Sequence, residues 1–354
     1  MNTIKWALDP CKQDNLQPKR QTPHGRLRRS RSALSSWQWR YIRRKRLIVR
    51  RVVLAATILA AGLCFGQFWP GNSGNLVRLE GGLVVNEDEL HTARETDSHS
   101  SPTPNWTNAP GFERDVFTFT RVIFKSAPSP RSNRGRLRWL GWWVDYPDAD
   151  LNLSYRLQEL TSITTDPDGR VLKLTDPTLF QYPLLYLEHA GYMRLSEEEV
   201  VVLRKYLLCG GAVFVNDFWG SEEWTGFAGQ IDRVFPGRKW TELATDHPIF
   251  RCVYDLQGPM QKLQVPTMQF WNRLFDPDHP DAPQQTIFRG EGSEEMHVRA
   301  LFDDRQRIMI LAIHNSDVSD GWEREQENET YFNQYSERVA YPLGINIIFY
   351  LMTH

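Results

Sequence analysis

Short apolar runs alternate with amphipathic segments over the C-terminal two thirds of the chain. Four runs have the length and residue types of strands: residues 115–124, 169–176, 182–189 and 212–217. Segments with helical spacing of apolar residues separate most of them, which is the rhythm of βαβ units. The pattern therefore predicts an α/β domain with a mostly parallel, doubly wound sheet of the flavodoxin-like or amidotransferase-like kind.

The most specific helix signal lies in the stretch RLSEEEVVVLRKYLLCGG. Ser196 and Glu199 have the spacing of a capping box, in which each side chain bonds the backbone N–H of the other residue. The pair Gly210 and Gly211 predicts a left-handed turn that ends this helix. The stripe predicted to be buried consists of Val200, Leu203, Tyr206 and Leu207.

Three further helices, one of them over SEEWTGFAGQIDRVFPG and ended by Pro236, and two strands around an Asp-Asp turn complete the predicted domain, which covers residues 113–354. Asp148 or Asp150 can cap a helix ahead of the second strand. The apolar face of that helix is formed by Leu153, Leu157 and Leu160. A last strand is predicted over 308–314, and Pro342 suits the first turn of a final helix that is apolar nearly all round.

The N-terminal residues have a different composition. Residues 1–51 contain 15 Lys and Arg but only two acids, and an apolar run follows over 52–69. As a helix this run would span about 27 Å, close to the thickness of a bilayer core. Because cations stay on the cytoplasmic side, we predict a single-pass anchor in a bacterial inner membrane, with a basic cytoplasmic tail and a periplasmic C-terminal domain. A cleaved signal peptide and a buried soluble helix are the alternatives.

Residues 70–112 are rich in Gly, Asn, Ser, Thr, Pro and charged residues. Such a composition cannot build a core of its own, so these residues are predicted to form a flexible, disordered linker between membrane and domain. The part of the chain after residue 51 holds 27 basic and 41 acidic residues, a net charge of −14. This excess of acid argues against a nucleic-acid partner, because phosphate contacts need surplus cations.

Acidic and histidine residues follow several of the predicted strands, namely Asp145, Glu188, His189, Asp217, Asp246, His247, His314, Asp317 and Asp320. The carboxyl ends of parallel strands meet at one edge of a sheet, where ligands bind in open α/β folds. Carboxylate and imidazole groups there can bind Zn²⁺ or Mn²⁺, or transfer protons. His189 and Asp217 are the first candidates because they end the two most buried strands, and His247 and Asp317 come next. The competing interpretation is that these residues only cap helices and tie loops.

The sequence carries no nucleophile elbow. Cys209 precedes its strand at a helix end, Cys252 follows HPIFR without a glycine turn, and no G-x-S-x-G motif occurs. Amidotransferase and serine-hydrolase chemistry are therefore not expected. No cofactor is predicted, apart from a divalent metal at the strand ends as the less favoured possibility.

Four separated stretches resemble the bacterial DUF4159 family, a domain of unknown function: PLLYLEHAGYMRLSEEEVVVLRKYLLCGGAVFVND, DHPIF, HNSDVSDGWE and LGINIIFYLMTH. The resemblance covers residues 117–354. It implies a class I glutamine-amidotransferase-like fold with no established activity, membrane attachment or export, and AAA+ ATPase and von Willebrand A-type neighbours as partners. Family members usually carry two acids where this chain has Asn216-Asp217, so the local negative charge is halved here.

Two functions fit these observations. The first is a non-catalytic binding or scaffold component of a bacterial envelope system, tethered to the membrane and facing the periplasm. The second is a metal-assisted hydrolase that uses His189, Asp217 and His247. Geometry separates them: a hydrolase needs these side chains to converge within about 5–6 Å with an imidazole nitrogen facing a shared site, whereas a binding module leaves them spread and bonded to backbone.

Overall fold

A computed structural model describes residues 75–111, 115–128, 141–274 and 289–354. From Val77 onward, the described residues belong to one compact unit. The predicted basic tail and apolar span, residues 1–69, lie outside the described ranges. Within those ranges, no helix combines the length and apolar character needed to cross a bilayer.

The strands of the described residues are β1 (Leu76–Arg78), β2 (Val84–Asn86), β3 (Thr120–Ile123), β4 (Lys125–Ser126), β5 (Arg170–Lys173), β6 (Leu184–Glu188), β7 (Met193–Arg194), β8 (Ala212–Phe218), β9 (Trp240–Glu242), β10 (His297–Phe302) and β11 (Ile308–His314). The helices are α1 (Asp148–Leu160), α2 (Glu197–Leu208), α3 (Gly220–Val234), α4 (Met268–Leu274), α5 (Asp320–Glu323), α6 (Glu329–Tyr331) and α7 (Tyr341–Thr353). A π-helical segment, Phe332–Ala340, leads into α7.

Seven strands form the central sheet in the order β5-β3-β6-β8-β11-β10-β9. The first five strands of this order are parallel, and β10 and β9 each run antiparallel to the preceding neighbour. The prediction of a mostly parallel α/β sheet is confirmed. Strand β8 lies at the centre, so parallel strands flank its carboxyl end on both sides.

Successive side chains along the central strands enter two separate cores. On β8, Val213 and Val215 join the core that contains α2 and α3. Phe214 joins the other core, with α1 and α7. This alternation is the two-residue period of a strand. Because helices cover both faces of the sheet, the strand is continuously apolar in sequence.

Helix α2 follows its sequence signals. Ser196 Oγ accepts a hydrogen bond from Glu199 N at 3.2 Å, and Glu199 Oε2 accepts one from Ser196 N at 2.7 Å, which confirms the capping box. The predicted stripe is buried, and Gly210 ends the helix with φ of 105°. In α1 the predicted face is wrong at one position. Leu160 is 49% exposed, because it is the last residue of the helix.

The prediction of a flexible linker over 70–112 is wrong for much of its length. Leu79, Leu90 and Ala93 are buried in the same core as β3 and β6. Backbone bonds add to this packing, since Val171 N, in the edge strand β5, donates to His91 O at 2.8 Å. A segment that has too few apolar residues for its own core can therefore be ordered by completing the edge and core of a neighbouring domain.

Helix α3 comes very close to the turn that follows β6. A Cβ added to Gly226 would lie 2.3 Å from the carbonyl oxygen of Gly191. A Cβ added to Gly191 would lie 2.5 Å from the Cβ of Glu223. The two glycines thus allow contact between backbones, and this contact supports the turn at Ala190–Tyr192 directly after His189.

We expect Gly226→Ala to lower the free energy of unfolding by about 1–3 kcal/mol, because the new methyl group overpacks against the Gly191 carbonyl. The matched control is Gly229→Ala in the same helix, where nothing lies within 4 Å of an added Cβ. Alanine there is expected to stabilise by up to about 1 kcal/mol through helix propensity. Urea unfolding of both variants checks the prediction, and equal changes in the two would contradict it.

Candidate functional site

The carboxyl ends of β6, β8 and β11 lie side by side and form the candidate site, called the rim below. Glu188 pairs with Asn216 in the parallel ladder, and His189 N donates to Asn216 O at 3.0 Å. On the other side of β8, Asn315 N donates to Phe218 O at 3.0 Å. The strand ends predicted to meet at one edge therefore do so for these three strands.

The chain takes a left-handed backbone conformation at the tip of each of these strands. The φ angle is 52° at His189, 48° at Asp217 and 63° at Asn315. A side chain in this region costs roughly 1 kcal/mol, although Asn, Asp and His tolerate it better than most residues. Such positions concentrate at functional sites. Two of the three are the residues that the sequence ranked first.

His189 and Asp217 form a buried imidazole–carboxylate pair. His189 Nδ1 lies 2.9 Å from Asp217 Oδ2, and both residues are 2% exposed. The other carboxylate oxygen accepts from Trp219 Nε1 at 2.6 Å and lies 3.3 Å from an Arg289 nitrogen. His189 Nε2 is buried and has no hydrogen-bond partner among the described residues. Asp217 thus orients the ring and leaves Nε2 available to a ligand or proton.

The charges of the pair reinforce each other. Burial on its own would raise the pKa of Asp217, but His189 and Arg289 together hold that pKa well below its usual range. Burial also works to lower the pKa of His189, and the Asp217 carboxylate outweighs it, so the His189 pKa is raised. The stable state of the pair near neutral pH is accordingly an ionised Asp217 beside an imidazole with strengthened basicity.

Glu188 is the second acidic group at the tip of β6. It is fully buried, and its Oε2 accepts a hydrogen bond from the Tyr186 hydroxyl. Its Oε1 has no hydrogen-bond partner among the described residues. Burial, followed by the neighbouring Asp217 charge, raises the pKa of Glu188 to about 8. The rim therefore places a neutral carboxyl and an ionised one next to each other.

Three more carboxylates, from Asp145, Asp317 and Asp320, form a buried cluster at the rim. One oxygen from each lies within 4.8 Å of the others, and each residue is 4% exposed or less. Asp320 N donates to Asp317 Oδ1 at 3.1 Å, and Met268 N donates to Asp320 Oδ2 at 2.6 Å, which fixes two of the groups. Burial and the nearby charges of Asp217, Asp320 and Asp145 raise the pKa of Asp317 well above its usual range. Oxygen ligands of this type suit Mg²⁺, Ca²⁺ or Mn²⁺.

Asn216 connects the tip of β8 to the loop that carries two of these acids. Its Nδ2 donates to Ser319 Oγ at 2.7 Å, and its Oδ1 accepts from Val318 N at 3.3 Å. Ser319 Oγ in turn donates to Asp317 Oδ1 at 3.2 Å. An amide can both donate and accept, so Asn216 makes this tie without adding another negative charge to a site that already holds several.

Comparison with known families places the rim in a recognised domain. The model of the family described as "Domain of unknown function (DUF4159)" matches residues 136–352. This chain belongs to the DUF4159 family. The matched range contains the His189–Asp217 pair, Glu188 and the three clustered acids. No curated protein matches the chain, and the relation to glutamine-amidotransferase-like folds stays a prediction.

His247 does not join the other candidates of the DUF4159 domain. Its ring lies 5.3 Å from the ring of Tyr350, near the end of α7, and its Nδ1 accepts from Ile249 N at 3.2 Å. The neighbouring Asp246 is exposed. The hypothesis that used His247 beside His189 and Asp217 is therefore wrong in this residue. The physical reason is that TDHPIF follows β9, the outermost strand of the sheet, and β10 and β11 lie between β9 and β8.

His314 does end a strand but is used in packing. One ring nitrogen, Nε2, lies 3.0 Å from Gly220 O, and the other lies 3.1 Å from an Arg299 nitrogen. Burial lowers the pKa of His314 to about 3, so it is neutral. Cys252 is also occupied with backbone, since its Sγ lies 3.3 Å from Asn346 O. His314 and Cys252 of the DUF4159 domain therefore have structural roles in packing and in backbone contacts.

Sequence reasoning missed three cations that act on the rim of the DUF4159 domain. Arg324 is one of them, since its Nε lies 2.9 Å from Asp320 Oδ1 in the acidic cluster. Arg289 contacts Asp217 from a loop whose sequence carries no signal of this role. Arg121 is fully buried in β3, where it pairs with Asp150 and lies within electrostatic range of Glu188. A signal for Arg121 did exist, because an arginine inside the apolar run FTRVIF is unusual unless the charge has a buried partner.

Proposed function

We propose that the rim is a divalent-cation-assisted hydrolytic site, in which His189 is the general base. The observation that carries the proposal is the buried Nε2 of His189, which has no hydrogen-bond partner among the described residues while Asp217 holds Nδ1 at 2.9 Å. An imidazole oriented in this way accepts a proton at the opposite nitrogen. The proposal keeps His189 and Asp217 from the sequence-based hypothesis and replaces His247 by the acidic cluster.

Asp145, Asp317 and Asp320 are the groups that would hold the cation. Their oxygens are close enough to share one ion. Without a cation, burial and mutual repulsion favour protonation of Asp317, and a bound Mg²⁺ or Mn²⁺ would remove that penalty. A bound ion would supply a polarised water or substrate oxygen. The residues of the chain orient the site, and His189 accepts a proton at Nε2.

The test uses the full-length chain, purified in detergent, with Mn²⁺ as the probe. We expect Asp317→Asn to weaken Mn²⁺ binding at the rim about tenfold or more, because it removes a charged ligand. Asp304→Asn is the matched control, since its carboxylate is 89% exposed in a turn. Calorimetry or the Mn²⁺ spin-resonance signal measures binding. Equal affinity in the two variants would contradict the cation site.

Catalysis is tested separately with p-nitrophenyl phosphate, bis-p-nitrophenyl phosphate and p-nitrophenyl acetate in the presence of Mn²⁺. If one of these esters is hydrolysed, His189→Asn is expected to lower kcat by about 100-fold or more, the usual contribution of a general base. A rate that is unchanged in His189→Asn, or absent for every ester, would overturn the hydrolytic assignment.

A second candidate function is a non-catalytic binding or scaffold component of an envelope complex. The observation that favours it is burial: each acidic and histidine side chain of the rim is 4% exposed or less. A cation bound there would then lock the strand tips and the 317–320 loop in place for a partner elsewhere on the surface. Tight Mn²⁺ binding without any hydrolysis that depends on His189 would favour this function over the first.

For either function, we propose that the apolar span at residues 52–69 anchors the chain in a bacterial inner membrane with the domain in the periplasm. The support is the charge asymmetry, with 15 basic residues in the first 51 and a net −14 after them. The partners implied by the family resemblance, AAA+ ATPases and von Willebrand A-type proteins, belong to this proposal. We expect the chain to stay in the membrane fraction after alkaline extraction. A protease should reach the domain from the periplasmic side only.

A further inference from the structure

The segment around His99, which precedes the matched DUF4159 range, crosses the beginning of α1 and the turn after α5. The backbone N–H groups of His99 and Ser100 donate to Asp148 Oδ2 at 3.0 and 3.2 Å. Ser100 Oγ donates to Glu327 Oε1 at 2.7 Å. Gln326 N donates back to Ser101 Oγ at 2.9 Å. These bonds hold the backbone of the segment in register with the two helix ends.

The same contact brings one imidazole and two carboxylates together. His99 Nε2 lies 3.6 Å from Asp148 Oδ2 and 3.3 Å from Glu323 Oε1. One ligand atom from each of the three residues lies within 4.8 Å of the others. The side chains of Asp148 and Glu323 are fully buried, and that of His99 is 12% exposed. An ion at this place would therefore be enclosed on the protein side and reachable from the side of His99.

The distances from His99 Nε2 to the two carboxylates match ligands around a metal ion better than direct hydrogen bonds. Ligands that each lie about 2.0–2.1 Å from a tetrahedral zinc ion are separated from one another by about 3.3 Å. The two imidazole–carboxylate distances are close to that value, whereas a charge-assisted N–H···O bond is about 2.7–2.9 Å long. Neither His99 Nε2 nor Asp148 Oδ1 has a hydrogen-bond partner among the described residues. Asp148 is completely buried, so an oxygen without a partner there is costly unless a ligand is bound.

The charge balance also favours a cation. Arg324 is the cation next to the cluster, and its Nε lies 2.8 Å from Glu323 Oε2 and 2.9 Å from Asp320 Oδ1. Arg324 also contacts Glu327 at 3.0 Å. One guanidinium is therefore shared by three acids, and Asp148 adds a fourth negative charge. A divalent ion would offset two of the three remaining negative charges, and the imidazole of His99 would add a nitrogen ligand.

We propose that His99, Asp148 and Glu323 form a zinc-class metal site, with a water as fourth ligand, that clamps the segment around His99 to the DUF4159 domain. One nitrogen and two carboxylate ligands suit Zn²⁺ among the common divalent ions. His99 lies outside the part matched by the family model, at residues 136–352, whereas both carboxylates lie within it. The site thus joins a segment outside the family match to the family domain, and it uses none of the residues assigned to the hydrolytic site.

The test measures Zn²⁺ binding to the full-length chain in detergent, after removal of metal with a chelator. We expect one Zn²⁺ site that loses affinity by about 100-fold or more in His99→Ala and keeps most of it in His99→Cys, because a thiolate is also a zinc ligand. The control is His91→Ala, an exposed histidine of the same segment. Zn²⁺ should also slow proteolysis within residues 76–104 in the native chain and in His91→Ala, but not in His99→Ala.

Co²⁺ substitution tests the native chain directly, so that a variant that fails to fold does not decide the matter. A tetrahedral Co²⁺ visible spectrum with one nitrogen ligand supports the site. An octahedral spectrum, or Zn²⁺ affinity that is the same in His99→Ala and His91→Ala, overturns it. Asp317→Asn is expected to lose Mn²⁺ binding and keep Zn²⁺ binding, whereas His99→Ala should do the reverse. The proposal for the rim and the proposal for the zinc site can therefore be refuted separately.

Discussion

Replacing Arg121 with methionine is expected to lower the free energy of unfolding by about 3–5 kcal/mol, the usual cost of leaving a buried charge without its partner. Arg121 is fully buried, and its Nε lies 2.9 Å from both oxygens of Asp150. Another of its nitrogens donates to the carbonyl oxygens of Trp142 and Val144 at 2.6 and 2.9 Å. Methionine fills the space but leaves one carboxylate and two carbonyl groups without these donors.

Chemical denaturation at pH 7 measures the effect of Arg121→Met. Arg305→Met is the matched control, because Arg305 is exposed in the turn between β10 and β11, and its expected change is within about 0.5 kcal/mol. The double variant Arg121→Met with Asp150→Leu should recover part of the loss, since it also removes the unpaired charge. A loss below about 1 kcal/mol for Arg121→Met alone would show that the pair contributes much less than its burial implies.

Replacing Glu188 with glutamine is expected to stabilise the protein, by an amount that grows with pH. The ordinary pKa of this carboxyl is 4.5, and burial followed by the Asp217 charge raises it to about 8 in the folded protein. Between these two values the folded state binds a proton that the unfolded state has released, so the stability of the native chain falls as pH rises from about 4.5 to about 8. Glutamine does not ionise and avoids this loss, which amounts to about 2–5 kcal/mol at pH 8.5.

The measurement is the difference in unfolding free energy between Glu188→Gln and the native chain at pH 5, 7 and 8.5, with EDTA present so that no divalent ion offsets the charge. The two proteins should be nearly equal at pH 5, where the native carboxyl is protonated. Glu198→Gln, on the exposed face of α2, is the control and should show no such trend. A difference that stays constant across the three pH values would contradict the raised pKa of Glu188.

Local and periodic signals in the sequence were sufficient to predict helix α2 and the central parallel strands of the domain. The Ser196–Glu199 capping box, the buried stripe of α2 and the Gly210 turn all appear as predicted, because each depends on residues within a few positions of one another. The same holds for the apolar runs that became β6, β8 and β11. Their burial on both faces follows from continuous apolar sequence, and it places His189 and Asp217 at one edge.

Contacts between distant parts of the chain could not be predicted in this way. Asp145 was expected beside Asp317 and Asp320 as the end of a strand, but it reaches them from the turn before α1, so the sequence did not predict how the cluster is formed. His247 illustrates the opposite error, since it was grouped with the other strand ends although the strand ahead of it, β9, is separated from β8 by two strands. The composition of residues 70–112 was also misleading, because order there comes from the surface of the domain and not from the segment itself.

The packing of Leu79, Leu90 and Ala93 has a practical consequence for anyone who wishes to produce this domain in isolation. A fragment that starts at residue 136, where the family match begins, or at residue 113 would omit these three side chains. The core residues of β3 or of its neighbouring strands, which these side chains now cover, would then face solvent. Truncated preparations of that kind should aggregate or lose solubility. A soluble fragment needs to begin ahead of Leu76, between the end of the apolar span and the first described strand.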